Sequence, residues 1–397
     1  MDYGSATRIE STKKGRNDNR QGFALCLSGG GYRAALFHLG VLRRLNETGL
    51  LSQVTNISTA SGGSILAAFL AQHVRAWPSP GGVVPEWDER IATPFKEITA
   101  QNIRTGPLLR RLIPWNWWRS SAAVEALAQR YRRITTMNVS DLPERPNYVF
   151  CATDMSFGVN WEFSRERMGD YVAGYTTPQI PLADAVAASS CFPPVFAPMR
   201  MRLEPGELTG GEARMGPDRQ RIIAGLRLSD GGVYDNLALE PVWKKVRTVL
   251  VSDGGSTFSF EADNGPAWRL LRYTAIVTRQ ARALRIRWFH AQLGTTIPQG
   301  AYCGIRSSST TSGYSSALVR NTIARIRTDL DSFSHAEQGV LENHGYFVAE
   351  AAIQQRLIDK VTRPAEPSAP NPRWLDEEAI QHALRNSSKR RFAVGRY

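Results

Sequence analysis

The sequence predicts an α/β fold, a three-layer α/β/α sandwich with a mainly parallel central sheet. The first observation is the short, continuously apolar run 23–27, which is typical of a strand buried on both faces of a parallel sheet. The second is the alternation of strand and helix patterns, separated by glycine-rich or serine-rich turns, over residues 23–74. The third is the length of 397 residues, which allows one large α/β domain or two smaller ones.

The elements follow one another in this alternating order. The first helix is predicted at 32–47, where apolar residues recur at helical spacing and Gly49 follows the last turn. A second strand is predicted at 54–58 and a second helix at 64–74. Further strands are predicted at 148–153, 160–163, 226–229 and 248–252, and further helices at 182–190, 267–292, 335–361 and 376–386, with an interrupted helical stretch at 89–135.

Composition shifts divide the chain into four parts. Residues 1–21 are polar and predict a flexible leader, and residues 22–361 carry the strand and helix patterns of the main domain. Four prolines within 362–372 predict an extended linker. Residues 373–397 predict a short helix and a basic C-terminal end.

Cysteine usage and hydropathy indicate the compartment. The cysteines lie far apart without a C-x-x-C pair, which argues against a zinc site or a disulfide framework and predicts reduced thiols. The N-terminal residues lack the apolar region of a signal peptide, and no uninterrupted apolar run reaches the roughly 18 residues of a membrane span. We therefore expect a cytoplasmic protein, peripheral at the inner face of a membrane if it binds lipid. The four cysteines are Cys26, Cys151, Cys191 and Cys303.

The chain is strongly basic. It carries 49 Lys and Arg against 36 Asp and Glu, a formal net charge of +13, and 42 of the basic residues are arginine. Such a surplus suits a face that binds phosphate or an anionic membrane, although arginines scattered evenly over the surface would give the same total. The hydrophobic content of 42% excludes a disordered chain.

A run of three glycines, Gly29, Gly30 and Gly31, separates the first strand from the first helix, and Arg33 follows. Consecutive glycines leave backbone N–H groups uncovered at a helix N-terminus, where they suit a negatively charged oxygen. The motif predicts an oxyanion hole or a phosphate cradle.

Ser61 lies in the turn between the second strand and the second helix. A serine on a sharp strand-to-helix turn is typical of a nucleophile elbow, which requires small neighbours because the turn is cramped. Gly62 and Gly63 meet that need, whereas Thr59 stands where the G-x-S-x-G pattern has its first glycine. We therefore predict that Ser61 is a nucleophile.

Asp230 ends a predicted strand and precedes Gly231 and Gly232. A carboxylate at this position could accept the serine proton as a general base, and Asn236, six residues later, could hold the loop. The sequence Asp-Gly-Gly recurs at 253–255, and we interpret that copy as a structural turn closing a strand.

These three motifs, in this order, resemble the patatin-like phospholipase family, whose members hydrolyse acyl esters with a Ser–Asp dyad. The segment 188–193, which contains Ser189 and Pro193, is similar to the family's Ala-Ser-x-x-x-Pro segment, and the resemblance spans about residues 22–350. Two positions depart from the family pattern: Ala34 stands where a further glycine is often found, and Thr59 replaces the first glycine of the elbow. Neither change removes a catalytic atom.

The resemblance implies a patatin-like fold and a lipid acyl hydrolase acting on phospholipids or lysophospholipids. Asp230 would take the proton of Ser61, which would attack the ester carbonyl, and water would then release the acyl group. No metal or other cofactor is expected. The resemblance assigns Gly29, Gly30, Gly31 and Arg33 to the oxyanion hole, and Gly63, Gly231, Gly232, Asn236, Ser189 and Pro193 to the lining of the site.

Three alternatives stay open at this point. A dinucleotide fingerprint fits the glycine run but lacks the acidic residue at the end of the second strand. A Ser–Asp–His lipase or esterase of the α/β-hydrolase type would fit the order of Ser61, Asp230 and a later histidine. The third alternative is a basic peripheral membrane-binding protein without catalysis; a nucleic-acid partner is not expected, because no zinc finger, RNP motif or recognition helix is present.

Two segments are candidates for contact with an anionic membrane. Trp115, Trp117 and Trp118 lie among arginines, and because tryptophan favours the membrane interface we expect this segment to touch the bilayer or to form a lid. The predicted helix 267–292 interleaves arginines with apolar residues, as in an ordinary amphipathic helix with a solvated arginine face or in a helix facing anionic headgroups.

Overall fold

The computed structural model describes residues 20–109, 121–211, 216–256, 265–308 and 313–388. The strands are β1 Phe23–Leu27, β2 Asn56–Ala60, β3 Asn147–Asp154, β4 Val159–Phe163, β5 Met168–Asp170, β6 Gly174–Thr176, β7 Met199–Arg200, β8 Arg227–Asp230, β9 Thr248–Asp253 and β10 Gln299–Gly304. The helices are α1 Gly31–Glu47, α2 Gly62–His73, α3 Thr93–Thr99, α4 Thr105–Leu109, α5 Ala122–Tyr131, α6 Leu182–Ser190, α7 Gly216–Ala224, α8 Gly232–Asp235, α9 Pro266–Gln292, α10 Ser316–Asn321, α11 His335–Arg356 and α12 Glu377–Leu384.

The strands form one sheet with a parallel centre and an antiparallel edge. The order is β10-β9-β1-β2-β3-β4-β5-β6, and β8 pairs with both β3 and β7. Strands β10, β9, β1, β2 and β3 run parallel. The pairs from β3 to β6 are antiparallel, as are the pairs made by β8. Because the parallel strands end at the same edge, the loops that follow them meet there.

Helices and loops cover both faces of this sheet. Successive residues of a strand face opposite sides, and in β1 the side chains of Leu25 and Leu27 join the larger hydrophobic core with α1, α2 and α11. Ala24 and Cys26 join a smaller core with Phe289 of α9. The predicted α/β sandwich with its mainly parallel centre is therefore confirmed.

Helix α1 is held firmly against α11. A Cβ atom at Gly40 would overlap the main chain of α11 at Glu342, and one at Gly345 would overlap the main chain of α1 at Phe37, so only glycine allows this approach. A buried ion pair between Arg43 Nε and Glu342 Oε1, at 2.9 Å, joins the same two helices. The glycine loop that precedes α1 is thus attached to a rigid element.

The proline-rich segment 362–372, which we expected to be a linker, lies along the main domain. The main-chain N–H of Asn371 donates to Asn343 Oδ1 at 2.8 Å. Beyond it, α12 buries Ile380 and Leu384 in the larger core. The described residues after 361 are therefore packed on the domain instead of being tethered to it.

The cysteines and the hydropathy of the helices can also be compared with the sequence analysis. The four cysteines are free and buried, as expected for reduced thiols. None of the described helices has both the length and the apolar character that crossing a bilayer requires.

Candidate active site

Strands β2 and β8 meet end to end alongside β3. β2 pairs in parallel with the first half of β3 as far as Ala60 opposite Cys151. β8 pairs antiparallel with the second half, beginning with Asp230 opposite Ala152. Because Ser61 directly follows β2 and Asp230 ends β8, this junction brings together two residues that lie far apart in the sequence.

Ser61 has the backbone conformation of a strained turn. Its φ of 49° and ψ of −114° lie where a residue with a side chain is rarely found. The next two positions admit only small residues, since a Cβ at Gly62 would overlap the carbonyl oxygen of Gly31 and one at Gly63 would overlap that of Leu27. The predicted strand-to-helix turn is therefore present, with the serine at its apex.

The buried residue Ser189, at the end of α6, holds both halves of the junction. Its carbonyl oxygen accepts hydrogen bonds from the N–H groups of Ser61 and Gly231, each at 3.1 Å. Its hydroxyl oxygen accepts a second bond from the Ser61 N–H at 3.0 Å and donates to Cys151 O at 2.6 Å. Ser189 was predicted to line the site; instead it positions the backbone beneath Ser61 and Asp230.

The Asp230 carboxylate is buried with little hydrogen-bonding support. Oδ1 accepts from the N–H of Gly232 at 2.7 Å, whereas Oδ2 has no hydrogen-bond partner among the described residues. Burial raises the pKa of Asp230 to about 7, partly offset by the Ser61 hydroxyl and the Gly232 amide, which favour the charged form. This carboxylate is therefore close to Ser61 and basic enough to take up a proton near neutral pH.

The glycine loop presents two amides to the same site. Gly30 has a φ of 145° and Gly31 a φ of 57°, and a Cβ atom on Gly31 would come within 2.5 Å of Asp329 O. The N–H groups of Gly30 and Gly31 have no acceptor among the residues that the structure describes. The N–H of Gly29, by contrast, donates to Asn236 O at 3.1 Å. Two of the three predicted amides are thus available to a ligand, and the third is not.

Asn236 joins the glycine loop to the segment that follows Asp230. Besides the bond to its carbonyl oxygen, its Nδ2 donates to Gly29 O at 3.4 Å. A Cβ on Gly29 would lie 2.5 Å from Asn236 Oδ1 and 2.9 Å from the Cβ of Ser61, so glycine is required for this approach. Asn236 therefore holds the glycine loop against the segment that follows Asp230, a contact that its position in the sequence did not indicate.

The side chain of Arg33 lies elsewhere than we expected. It is buried, and its guanidinium donates to the carbonyl oxygens of Gly254, Ala324 and Ile326 at 2.8–3.2 Å. It does not line the cavity described below. Its charge is therefore directed at main-chain carbonyls of two other segments, where it fixes their position, instead of at the oxyanion.

A cavity of about 680 Å³ opens over Ser61 and Asp230. Of the predicted lining residues, Gly232 and Asn236 contribute to its wall, whereas Gly63, Gly231, Ser189 and Pro193 do not. All six histidines lie within the described ranges, and none lines the cavity. The residues that line it are Gly29, Gly30, Gly31, Ser61, Arg104, Ser190, Phe192, Val195, Phe196, Asp230, Gly232, Asn236, Ser256, Trp268, Arg272, Ala275, Thr278, Arg279, Arg282, Thr328, Asp329 and Leu330.

Two walls of this cavity were missed in the sequence. One is the N-terminal half of α9, and the other is the segment 328–330. The arginine-rich pattern of α9 was visible, but nothing in it indicated the neighbouring cavity, and 328–330 carries no recognisable motif. The candidate lid residues Trp115, Trp117 and Trp118 lie outside the described residues.

Helix α9 buries Phe289 in the smaller core but leaves several other apolar residues exposed. Arg282 forms an ion pair with the buried Asp253 at 2.6 Å, and Arg285 forms one with the buried Asp235 at 3.4 Å. Among its apolar side chains, Tyr273 is 63% exposed and Val277 is 68% exposed. The interpretation as an ordinary amphipathic helix with a solvated arginine face is therefore wrong, since inward arginines accompany outward apolar residues.

The second Asp-Gly-Gly motif, at 253–255, has a structural role, because the carboxylate of Asp253 is bonded to other side chains. Both Nε and Nη2 of Arg282 donate to Asp253 Oδ2, and the hydroxyl of Tyr302 donates to the same oxygen at 2.6 Å. The positive charge of Arg282 lowers the pKa of Asp253 in spite of its burial. This carboxylate is fully engaged in holding α9 and is absent from the cavity wall.

Comparison with known proteins gives the following matches. A model of the family described as patatin-like phospholipase matches residues 25–243. Patatin-like phospholipase domain-containing proteins of Aspergillus niger and Aspergillus oryzae are 32% and 31% identical over 104 residues, 26% of this chain and 12% of each relative. The matched region thus spans about an eighth of these relatives.

Solved structures also match, at low similarity. VipD from Legionella pneumophila has a TM-score of 0.35 and 16% identity, with 92% of this chain and 75% of that chain covered. Human GIVD cytosolic phospholipase A2 has a TM-score of 0.43 and 13% identity, with 94% and 61% covered.

Proposed function

The chain belongs to the patatin-like phospholipase family, and from that premise we propose that it hydrolyses carboxylic esters of phospholipids or lysophospholipids. Ser61 is the nucleophile and Asp230 the general base. The observation that carries the proposal is the junction of β2 and β8, where a serine at a strained turn lies beside a buried carboxylate at the floor of a cavity.

The reaction begins with proton transfer. Asp230 takes the proton of the Ser61 hydroxyl as its oxygen attacks the ester carbonyl, and the protonated Asp230 then gives that proton to the departing alcohol. A water molecule, deprotonated by Asp230, then attacks the acyl-serine. The fatty acid is released as the protonated Asp230 returns its proton to the Ser61 oxygen, which restores the starting state. The raised pKa of Asp230 supports this role, because a base works best when its pKa lies near the operating pH.

The oxyanion hole in this proposal consists of the amides of Gly30 and Gly31. Both residues line the cavity, and both N–H groups lack a protein acceptor within the described chain. Removing one donor of this kind typically costs 10²–10³-fold in kcat. Gly29 and Arg33 fix the position of the glycine loop. Gly29 is bonded to Asn236, and Arg33 is bonded to the main-chain carbonyls of Gly254, Ala324 and Ile326.

A dyad is favoured over a Ser–Asp–His triad. No histidine lines the cavity among the described residues. His38, the nearest in sequence to the glycine loop, is buried and bonded to Ser252 Oγ and Ser28 O at 2.6 and 2.9 Å. Burial lowers the pKa of His38 to about 4, which suits a structural histidine.

The proposed ester hydrolysis can be tested by incubating the purified protein with phospholipid vesicles of defined composition. We expect the purified protein to release fatty acid from vesicles of phosphatidylcholine and phosphatidylglycerol, as measured by mass spectrometry of the lipid products. An alkyl fluorophosphonate, which reacts with activated serines, should stop the release and leave one adduct on the peptide containing Ser61. Folded protein that releases no fatty acid, or an adduct on another serine, would contradict the proposal.

We also propose that the chain works at an anionic membrane surface, with α9 facing the lipid. Support comes from the exposed apolar residues of α9 together with arginines on the same helix, a combination that suits the boundary between acyl chains and charged headgroups. The cavity opens beside this helix, so a lipid could pass from the bilayer to Ser61 over a short distance. The tryptophans at 115, 117 and 118 stay a prediction for the same surface.

Acidic substitutions on α9 should weaken vesicle binding. Val277→Asp combined with Leu284→Asp is expected to reduce sedimentation with anionic vesicles about tenfold or more, because each removes an apolar side chain and adds a charge that the surface repels. Ile358→Asp combined with Leu375→Asp is the matched control, since these residues are 52% and 47% exposed but lie outside α9. Equal binding by the double variant and this control would contradict the assignment of α9 to the membrane.

A further inference from the structure

Three buried hydroxyl groups form a hydrogen-bonded row beneath Ser61. Thr59 Oγ1 lies 2.9 Å from Ser64 Oγ, which in turn lies 2.8 Å from Ser189 Oγ. The Ser189 hydroxyl donates to Cys151 O at 2.6 Å and accepts from the Ser61 N–H at 3.0 Å. The three side chains are fully buried, so bulk water does not compete for these bonds. The row joins the end of β2, the first turn of α2, the end of α6 and β3.

The direction of each hydrogen bond in the row follows from the single proton that a hydroxyl carries. A carbonyl oxygen can only accept, so the proton of Ser189 points at Cys151 O. Ser64 must therefore donate to Ser189, and Thr59 must donate to Ser64. The other acceptor near Thr59 is Val149 O at 3.4 Å, which is longer than an ordinary O–H···O bond. The donors thus point in one direction, from Thr59 through Ser64 to Ser189.

This order of donors fixes the group that holds the backbone of Ser61. The Ser61 N–H is shared between the carbonyl oxygen and the hydroxyl oxygen of Ser189. Because the Ser189 proton is directed at Cys151 and one lone pair accepts from Ser64, the remaining lone pair is left for Ser61. The turn has a φ of 49° at Ser61, and such a strained conformation persists only when its surroundings hold it in place.

Thr59 can take part in the row because it departs from the usual elbow sequence. A glycine at this position, as in the G-x-S-x-G pattern, has no hydroxyl and could not donate to Ser64. Catalysis depends on where the Ser61 oxygen lies relative to Asp230, and a displacement of about 1 Å can cost about 100-fold in rate. Residues that fix this turn therefore affect the rate without touching the substrate.

We propose that Thr59 and Ser64 are positioning residues for the Ser61 nucleophile. Acting through Ser189, their hydroxyls hold the Ser61 backbone in the conformation that directs its side chain to Asp230. The inference rests on the function proposed above and adds two residues to its machinery. Neither side chain lines the cavity, so their loss lowers kcat and leaves KM nearly unchanged.

The test measures kcat and KM for fatty-acid release from lysophosphatidylcholine in uncharged detergent micelles. Ser64→Ala is expected to lower kcat about tenfold, and Thr59→Val, which keeps the shape of the side chain, about threefold or more, as expected for the net loss of a hydrogen bond. Thr59→Ser keeps the hydroxyl and should stay within about twofold of the wild type. The two bonds act in series, so Thr59→Val combined with Ser64→Ala should be no slower than Ser64→Ala alone.

Ser58→Ala is the matched control for Ser64→Ala. Ser58 is buried in the same strand as Thr59, and its hydroxyl lies 3.7 Å from Cys151 Sγ, outside the row. Its kcat should stay within about twofold of the wild type. An equal fall in kcat for Ser58→Ala and Ser64→Ala would overturn the proposal, since a general loosening of β2 would then explain the effect. A rise in KM at unchanged kcat, or additive losses in the double variant, would overturn it as well.

Labelling with an alkyl fluorophosphonate gives a second measurement that does not depend on lipid hydrolysis. The rate at which the adduct forms on Ser61 should fall in the same order as kcat. If Thr59→Val does not fold, the comparison of Ser64→Ala with Ser58→Ala decides the question. Wild-type protein that releases no fatty acid and forms no adduct would refute the proposed function, and this inference with it. Active wild-type protein, with kcat unchanged in Ser64→Ala and Thr59→Val, would refute this inference alone.

Discussion

Replacing Ser61 with alanine is expected to lower kcat for fatty-acid release by at least about 10⁴-fold. Without the hydroxyl no acyl-enzyme can form, and the remaining groups provide only binding and oxyanion stabilisation. The measurement is fatty acid released from phospholipid vesicles per molecule of protein. Ser140→Ala, an exposed serine outside the cavity, is the matched control and should retain full activity.

Comparing Ser61→Gly with Ser61→Ala distinguishes the catalytic role of the Ser61 hydroxyl from the effect of this position on stability. Ser61 has a φ of 49°, and such backbone strain costs about 1–3 kcal/mol for a residue with a side chain. Ser61→Gly should therefore unfold at a higher temperature than Ser61→Ala while being equally inactive. Retained activity in either variant would exclude Ser61 as the nucleophile, and equal unfolding temperatures would contradict the strain.

Replacing Asp230 with asparagine is expected to lower kcat by about 10³–10⁴-fold. The amide keeps the shape of the side chain but cannot take the proton of Ser61. In the wild-type protein, kcat/KM should rise with pH through about 7, where the buried carboxyl ionises, and then level off. A profile that rises only near pH 4, or full activity in Asp230→Asn, would contradict the assignment of the base.

The Asp230 carboxyl also makes the free energy of unfolding depend on pH, and the protein is expected to become less stable as the pH rises. Burial raises its pKa above the ordinary value near 4, so the neutral form favours the folded protein. Its contribution to stability is present in full below about pH 4 and is lost as the pH rises through about 7. Asp230→Asn removes this dependence, and we expect it to unfold at a higher temperature than the wild type at pH 8. A lower unfolding temperature there would contradict the burial argument.

Local sequence patterns predicted the elements that carry the site. The strand 23–27 and the helix 182–190 have the predicted bounds, because apolar runs and helical spacing are properties of consecutive residues. Strand β10 was missed. Its residues include Gly300 and Gly304 and follow Pro298, which are signs of a turn, and it exists because it pairs with β9.

Long-range contacts explain the predictions that failed. Arg33 was assigned to the oxyanion from its place after the glycines, but its hydrogen bonds reach Gly254 and Ile326, more than 200 residues away. The Gly29 amide was assigned in the same way, but it donates a hydrogen bond to the carbonyl oxygen of Asn236, 207 residues later. No local pattern indicates which donor already has a partner.

The sequence by itself determined which residue types stand at the ends of which strands: the glycine run after β1, Ser61 after β2 and Asp230 at the end of β8. Turn chemistry is local, and consecutive residues specify it. Only the tertiary structure decided that β2 and β8 meet along β3, that the Gly30 and Gly31 amides lack an acceptor among the described residues, and that α9 forms one wall of the cavity. These features depend on hydrogen bonds and ion pairs between segments far apart in the chain, which form only when the whole sheet and its helices are assembled.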